Sequence, residues 1–141
     1  MVQNDFEATQ TRFRPVVKDH RAYPRIRTNR RAQVILPSGE TANVTIRDIS
    51  PDGVQLRCGR AAARLIHPSG RSVRRGDPGV VIRLVLTLPL RRRPTPIGFR
   101  GRLLHFALIN TDLVSMGVEF GTLSSAANRV LYAFISESLE Y

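Results

Sequence analysis

Two short segments of this chain hold side chains suited to gripping an anion and the polar edge of a base. Arg21-Ala22-Tyr23-Pro24-Arg25 sets two guanidinium groups four residues apart. A planar guanidinium fork donates paired hydrogen bonds to phosphate or to the O6/N7 edge of guanine, where an ammonium acts only as a point charge. Asp48-Ile49-Ser50-Pro51-Asp52-Gly53 supplies the complement, carboxylates and a hydroxyl that accept from N–H donors, in a turn that ends on glycine. Taken singly, each segment is ordinary. Arginine pairs arise easily in an arginine-rich chain, and an Asp/Ser/Gly turn satisfies its own amides while Gly53 takes a positive φ.

Other chemistry lacks its parts. His20, His67 and His105 are scattered, and none shares a metal-binding spacing with a second ligand. No Walker phosphate loop, dinucleotide glycine fingerprint or Gly-x-Ser-x-Gly elbow is present. Asp48 and Asp52 lie in a tight turn, where backbone capping accounts for a carboxylate as well as acid–base catalysis does. The expectation is a binding protein without catalytic activity, resident cofactor or metal. Cys58 has no cysteine to pair with and reads as a small apolar residue buried in a strand, as suits a reducing compartment.

With 141 residues, 42% of them hydrophobic and 23% charged, the chain is expected to fold as one domain behind a tail. The formal net charge is +11, and every basic residue except Lys18 is arginine. The excess lies in Met1 to Leu104, so an anion should meet the N-terminal two-thirds. No secretory signal opens the sequence, and the longest apolar run, Val80 to Leu90, is interrupted by Arg83 and too short for a bilayer. A soluble cytoplasmic protein with no membrane span is the expectation.

The elements that would position the two segments follow from periodicity. Residues 1–19 read as a flexible arm, and Pro24 holds Tyr23 extended, so no helix begins there. Val34-Ile35-Leu36, a turn at Pro37-Ser38-Gly39, and Ala42 to Ile49 read as a hairpin, with Val44 and Ile46 on one face and Thr45 and Arg47 on the other. Val54, Leu56 and Cys58 share a face of the next strand. Gly59 to Gly79 reads as a long surface connection, with a short strand or helical turn near Ala61 to Ile66. Val80 to Leu88 and Ile97 to Leu108 are strands joined by a loop over Pro89 to Pro96, and Val114 to Phe120 is the last strand. From Ser124 the period becomes helical: Ala127, Val130, Leu131, Phe134 and Ile135 form one stripe, with Ser124 or Ser125 as N-cap. This predicts an all-β domain over residues 20–141, a six-stranded antiparallel barrel with a C-terminal helix.

The two motifs in this order and spacing, followed by strands, Met116-Gly117-Val118-Glu119-Phe120 and a terminal helix, resemble the PilZ domain family of bacterial cyclic di-GMP receptors. Arg21 and Arg25 match the family's R-x-x-x-R motif; Asp48, Ser50 and Gly53 match its D/N-x-S-x-x-G motif. The resemblance implies that Arg21 and Arg25 take guanine edges and phosphate, that Asp48 and Ser50 hydrogen-bond the ligand, and that Gly53 admits a close backbone approach. It also implies that the residue before the first motif arginine helps decide between one bound ligand and a stacked pair. His20 stands there instead of arginine and leaves the stoichiometry open. The chemistry agrees, since cyclic di-GMP offers phosphates and guanine O6/N7 to arginine, and guanine N1–H and N2–H₂ to Asp48.

The output implied is a conformational change read by a separate effector protein. Two other readings stand beside this one. A ligand-blind adaptor of the same fold would keep the barrel without the affinity. A nucleic-acid-binding barrel would use the net charge, although 6% aromatics without a basic–aromatic stripe argue against single-strand binding. Arg91-Arg92-Arg93 reads as a solvated loop. Repulsion among Arg21, Arg25, Arg27, Arg30 and Arg31 is expected to keep the free arm disordered until ligand phosphates neutralise it. Amide hydrogen exchange over residues 12–31 should therefore slow on addition of cyclic di-GMP; unchanged protection would refute the folding of the arm.

Overall fold

The computed structural model describes residues 25–70 and 80–139. Period-two alternation there gives six strands: β1 (Ile26–Ile35), β2 (Thr41–Ser50), β3 (Gly53–Gly59), β4 (Val81–Leu90), β5 (Arg93–Leu108) and β6 (Leu113–Phe120). Helix α1 (Arg60–Ile66) follows β3, and helix α2 (Ser125–Leu139) follows β6. All neighbours are antiparallel, and the ring β1-β2-β3-β6-β5-β4 closes through β1 against β4. One inward side chain from each strand, Val34, Ile46, Leu56, Leu84, Leu103 and Met116, is at most 1% exposed, so the barrel is filled by its own core.

The helices cover this core. Ser124 is the N-cap of α2, its Oγ accepting the Ala127 amide at 3.0 Å. Ala127, Leu131, Phe134 and Ile135 are buried, and the helix lies against β4, β5 and β1. The stripe thus packs on the core, with Val130 at its margin. Within the expected surface connection, Arg60–Ile66 is helical, burying Ala63 and Ile66 against β2, β3 and β6.

Two expectations need correction. Pro89 to Pro96 is not a loop: β4 and β5 run on to a two-residue turn, Arg91-Arg92, with φ of 49° and 66°. A two-residue hairpin favours positive φ at both central residues, and here arginines adopt it without glycine. The prolines are tolerated because amides two residues apart point to the same side. Those of Pro94 and Pro96 face away from β4, where β6 pairing has not yet begun; it starts at Gly101. The second correction concerns the arm. Arg27, Arg30 and Arg31 already lie in β1, paired with β2, so the exchange test narrows to residues 12–25.

Cys58 faces the core at 5% exposure, and burial pushes its thiol from 9.0 up to about 11. The folded state thereby favours the neutral thiol. That contribution is intact below pH 9 and is lost as pH rises from 9 to 11. Wild-type stability in urea should fall across this window more steeply than that of Cys58→Ala, and equal slopes would contradict the burial.

Candidate functional site

The position of Asp48 depends on one extra residue. Ala42, Val44 and Ile46 point inward, and unbroken alternation would turn Asp48 inward with them. Against β3, however, Ile46 pairs with Leu56 and Asp48 with Gln55, so Arg47 is a β-bulge. The bulge reverses the parity: Ile49 enters the core at 1% exposure and Asp48 faces outward. A second irregularity, in β1 between Arg27 and Arg30, matches it on the other side. Arg25, one residue before β1, then reaches Asp48, its Nη1 donating to Oδ1 at 2.8 Å. The side chains are 28% and 22% exposed, a partly desolvated, charge-assisted contact. The Nε of Arg25 is buried with no hydrogen-bond partner among the described residues, so the guanidinium is only part-satisfied.

Ser50 and Gly53 build the turn beside this pair. Ser50 is 1% exposed, and its hydroxyl donates to Asp52 Oδ1 and also lies 3.4 Å from the Gly53 carbonyl. Asp52 returns its carbonyl to the Phe120 amide at 2.9 Å, tying the turn to β6. Gly53 does not take the positive φ expected of it; the positive-φ glycines among the described residues are Gly39 and Gly70. Its constraint is steric. A Cβ there would run into the Val118 carbonyl of β6 and stand 3.3 Å from the Glu119 Cα. Arg21 and His20 lie outside the described residues, so the structure joins the two motifs through Arg25 and Asp48.

Arg25 also walls a shallow cleft of about 190 Å³ on the outer face of β3, β6 and β5, together with Gly53, Gln55, His105, Gly117 and Glu119. The floor is Gly117, where a Cβ would stand 3.2 Å from His105 Cβ and 3.3 Å from Gln55 Oε1. A third register shift, a bulge at Leu104 of β5, sets His105 opposite Gly117. Gln55 and His105 thus offer amide and imidazole groups on either side of a bare strip of backbone, fit to receive a flat polar ring beside a guanidinium. Sequence reasoning did not select either. The signal was Gly117 between inward Met116 and Val118, but its neighbours emerge only with the pairing register. Among the described residues no cluster of histidine, cysteine and carboxylate side chains could hold a metal, and no helix is long and apolar enough to cross a membrane.

The PilZ domain family model matches residues 19–137, which include both motifs and all six strands. The chain belongs to the PilZ domain family. Several solved structures share this PilZ fold. The Bacillus subtilis inhibitor of motility MotI/DgrA aligns with a TM-score of 0.63 at 16% identity, over 86% of this chain and 52% of that one. The K. pneumonia MrkH–c-di-GMP complex aligns with a TM-score of 0.64 at 15% identity, over 88% and 54%. The PilZ domain of YcgR from Escherichia coli, solved with c-di-GMP, aligns with a TM-score of 0.56 at 13% identity, over 86% and 96%. The chain therefore spans about half the length of MotI/DgrA and MrkH and nearly all of the YcgR domain. No curated protein matches it in sequence.

Gly53→Ala should lose about 1–3 kcal/mol of unfolding free energy, because the Val118 carbonyl is main chain and cannot rotate away. Gly98→Ala, whose Cβ would meet nothing closer than 3.8 Å, is the control and should stay within about 0.5 kcal/mol of wild type. Urea denaturation separates the two.

Proposed function

We propose that this PilZ chain is a cytoplasmic receptor for cyclic di-GMP, without a catalytic step of its own, that signals through a separate effector protein. The observation that carries the reading is the Arg25–Asp48 contact of 2.8 Å, which joins the two motifs at one point of the barrel wall. In the free protein the two charges pair with each other, while the Arg25 Nε has no acceptor among the described residues. A ligand with guanine donors and phosphate acceptors can take over both halves: Asp48 accepts from guanine N1–H and N2–H₂, and Arg25 turns its fork to O6/N7 or phosphate. Neither charge is left without a partner in the exchange, so little of the binding free energy is lost to desolvation.

Arg21 supplies the second fork, and His20, the residue before it, is the position that bears on how many ligands bind. Ser50 and Gly53 serve through the turn, one by fixing Asp52 and the other by letting β3 lie tight on β6. The neighbouring cleft of Gln55, His105 and Gly117 receives the base. MrkH and the YcgR PilZ domain, both solved with c-di-GMP, support the assignment of ligand class. MotI/DgrA, named an inhibitor of motility, supports a receptor whose output is exerted on other machinery.

Isothermal titration with cyclic di-GMP tests the reading. Arg21→Ala, Arg25→Ala and Asp48→Ala should each weaken binding by roughly 1.5–3 kcal/mol, the range of hydrogen bonds to charged groups. A wild-type heat signal that survives all three changes would sink the site. No wild-type signal, together with salt-steep binding to nucleic acid, would instead favour the polyanion reading.

A further inference from the structure

A second cleft, of about 360 Å³, lies on the outer face of the β4–β5 hairpin and shares no lining residue with the first. Its walls include Arg83, Val85, Gly98 and Arg100 from the hairpin, with Thr122 and Ser124 from the segment leading into α2. Arg83 and Arg100 are directly opposite each other in the ladder. The two-residue turn at Arg91-Arg92 makes Leu90 and Arg93 a hydrogen-bonded pair, and alternation from there makes Arg83 and Arg100 a non-hydrogen-bonded one. Two bonds agree with this parity: the Leu103 amide donates to the Val80 carbonyl at 2.8 Å, and the Arg100 carbonyl turns away from β4 to accept from Gly121 at 2.9 Å. Non-hydrogen-bonded pairs hold their Cα atoms about 4.5 Å apart, the closest cross-strand approach.

Like charges at such a position repel. The next arginine on the same face, Arg102, has Glu119 at 2.9 Å. Arg83 and Arg100 have no ion pair or side-chain hydrogen bond among the described residues. What lies around them is suited to an anion. Gly98 leaves the floor open, Thr122 contributes a hydroxyl, and α2 begins at the cleft with no acidic residue in its first turn. Of the first amides of this 15-residue helix, Ala127's is capped by Ser124 while those of Ser125 and Ala126 have no intrahelical acceptor, and the dipole favours negative charge at that end.

We propose that this cleft binds a phosphoryl group, as free phosphate or as a phosphate monoester carried by a phosphorylated residue of a partner. A carboxylate carries a single charge, and one bidentate fork takes the facing lone pair of each of its oxygens, so it neutralises only one of the two guanidinium groups. A tetrahedral dianion has enough oxygens to take both forks and the Thr122 hydroxyl together. Binding converts the repulsion into a bridge and draws the start of α2 toward the hairpin.

The test is NMR titration of the full chain at fixed ionic strength with inorganic phosphate, a phosphoserine tripeptide, its unphosphorylated form and acetate. Phosphate-bearing probes should shift the amides of Gly98, Arg100 and residues 122–126, and the tighter of the two probes identifies the source. Arg83→Gln and Arg100→Gln, both exposed and checked for fold by circular dichroism, should each weaken that binding about tenfold or more. Equal shifts from acetate and phosphate, shifts confined to Arg91–Arg93, or unchanged affinity in both variants would overturn the proposal. Cyclic di-GMP titrations of the same variants should match wild type, so failure here is distinguishable from failure at Arg25 and Asp48.

Discussion

In a strand whose side chains alternate faces, one inserted residue exchanges inside for outside in all that follows. Arg47 is that residue in β2. Before it, Ala42, Val44 and Ile46 fill the barrel; after it, Ile49 fills the barrel and Asp48 is carried on the wall. The salt bridge to Arg25, the orientation of the Ser50-Pro51-Asp52-Gly53 turn and its attachment to β6 all depend on this exchange. Without it, a carboxylate would enter a core of aliphatic side chains and Ile49 would face solvent, a combination that costs several kcal/mol. The bulge is thus favoured by the hydrophobic core itself, and the exposed acid follows from the burial of Ile49.

This also explains which parts of the site could be seen in the sequence. The six strands, the terminal helix and its Ser124 cap were legible because Val54-Gln55-Leu56-Arg57-Cys58 and Ala127 to Ile135 carry clean periods of two and of three to four. The motif residues were legible as chemical types. Their geometry was not, because a bulge leaves no compositional mark, and a plain alternating reading of β2 would place Asp48 with Ile46. Gln55 and His105 were missed for a related reason: they meet at Gly117 only through the β3–β6 and β5–β6 registers, one of which carries its own bulge at Leu104.

The β4–β5 connection was misread for a different cause. Three prolines within eight residues look like a loop to any local rule, yet Pro89 and Pro94 face each other at a ladder position that needs no amide donor. The left-handed Arg91 and Arg92 are held from outside the turn, since the Arg91 amide donates to Glu137 of α2 at 3.0 Å. A tertiary contact 46 residues away thus helps keep a backbone conformation that arginine does not favour by itself.

The closure of the barrel is partial in one respect. β1 meets β4 only over Ala32 to Ile35, and β5 meets β6 only from Gly101 onward. Among the described residues, the first half of β1 and the first half of β5 therefore each have one side without a strand neighbour, the kind of border along which separate molecules zip together into aggregates. Their residues oppose this in two ways. Arg27, Arg30 and Arg31 put like charges on one border, while Pro94 and Pro96 remove the amides that an incoming strand would need on the other. The arginine richness near the Arg25–Asp48 pair thus has a second consequence: it opposes edge-to-edge pairing of one barrel with another along these borders.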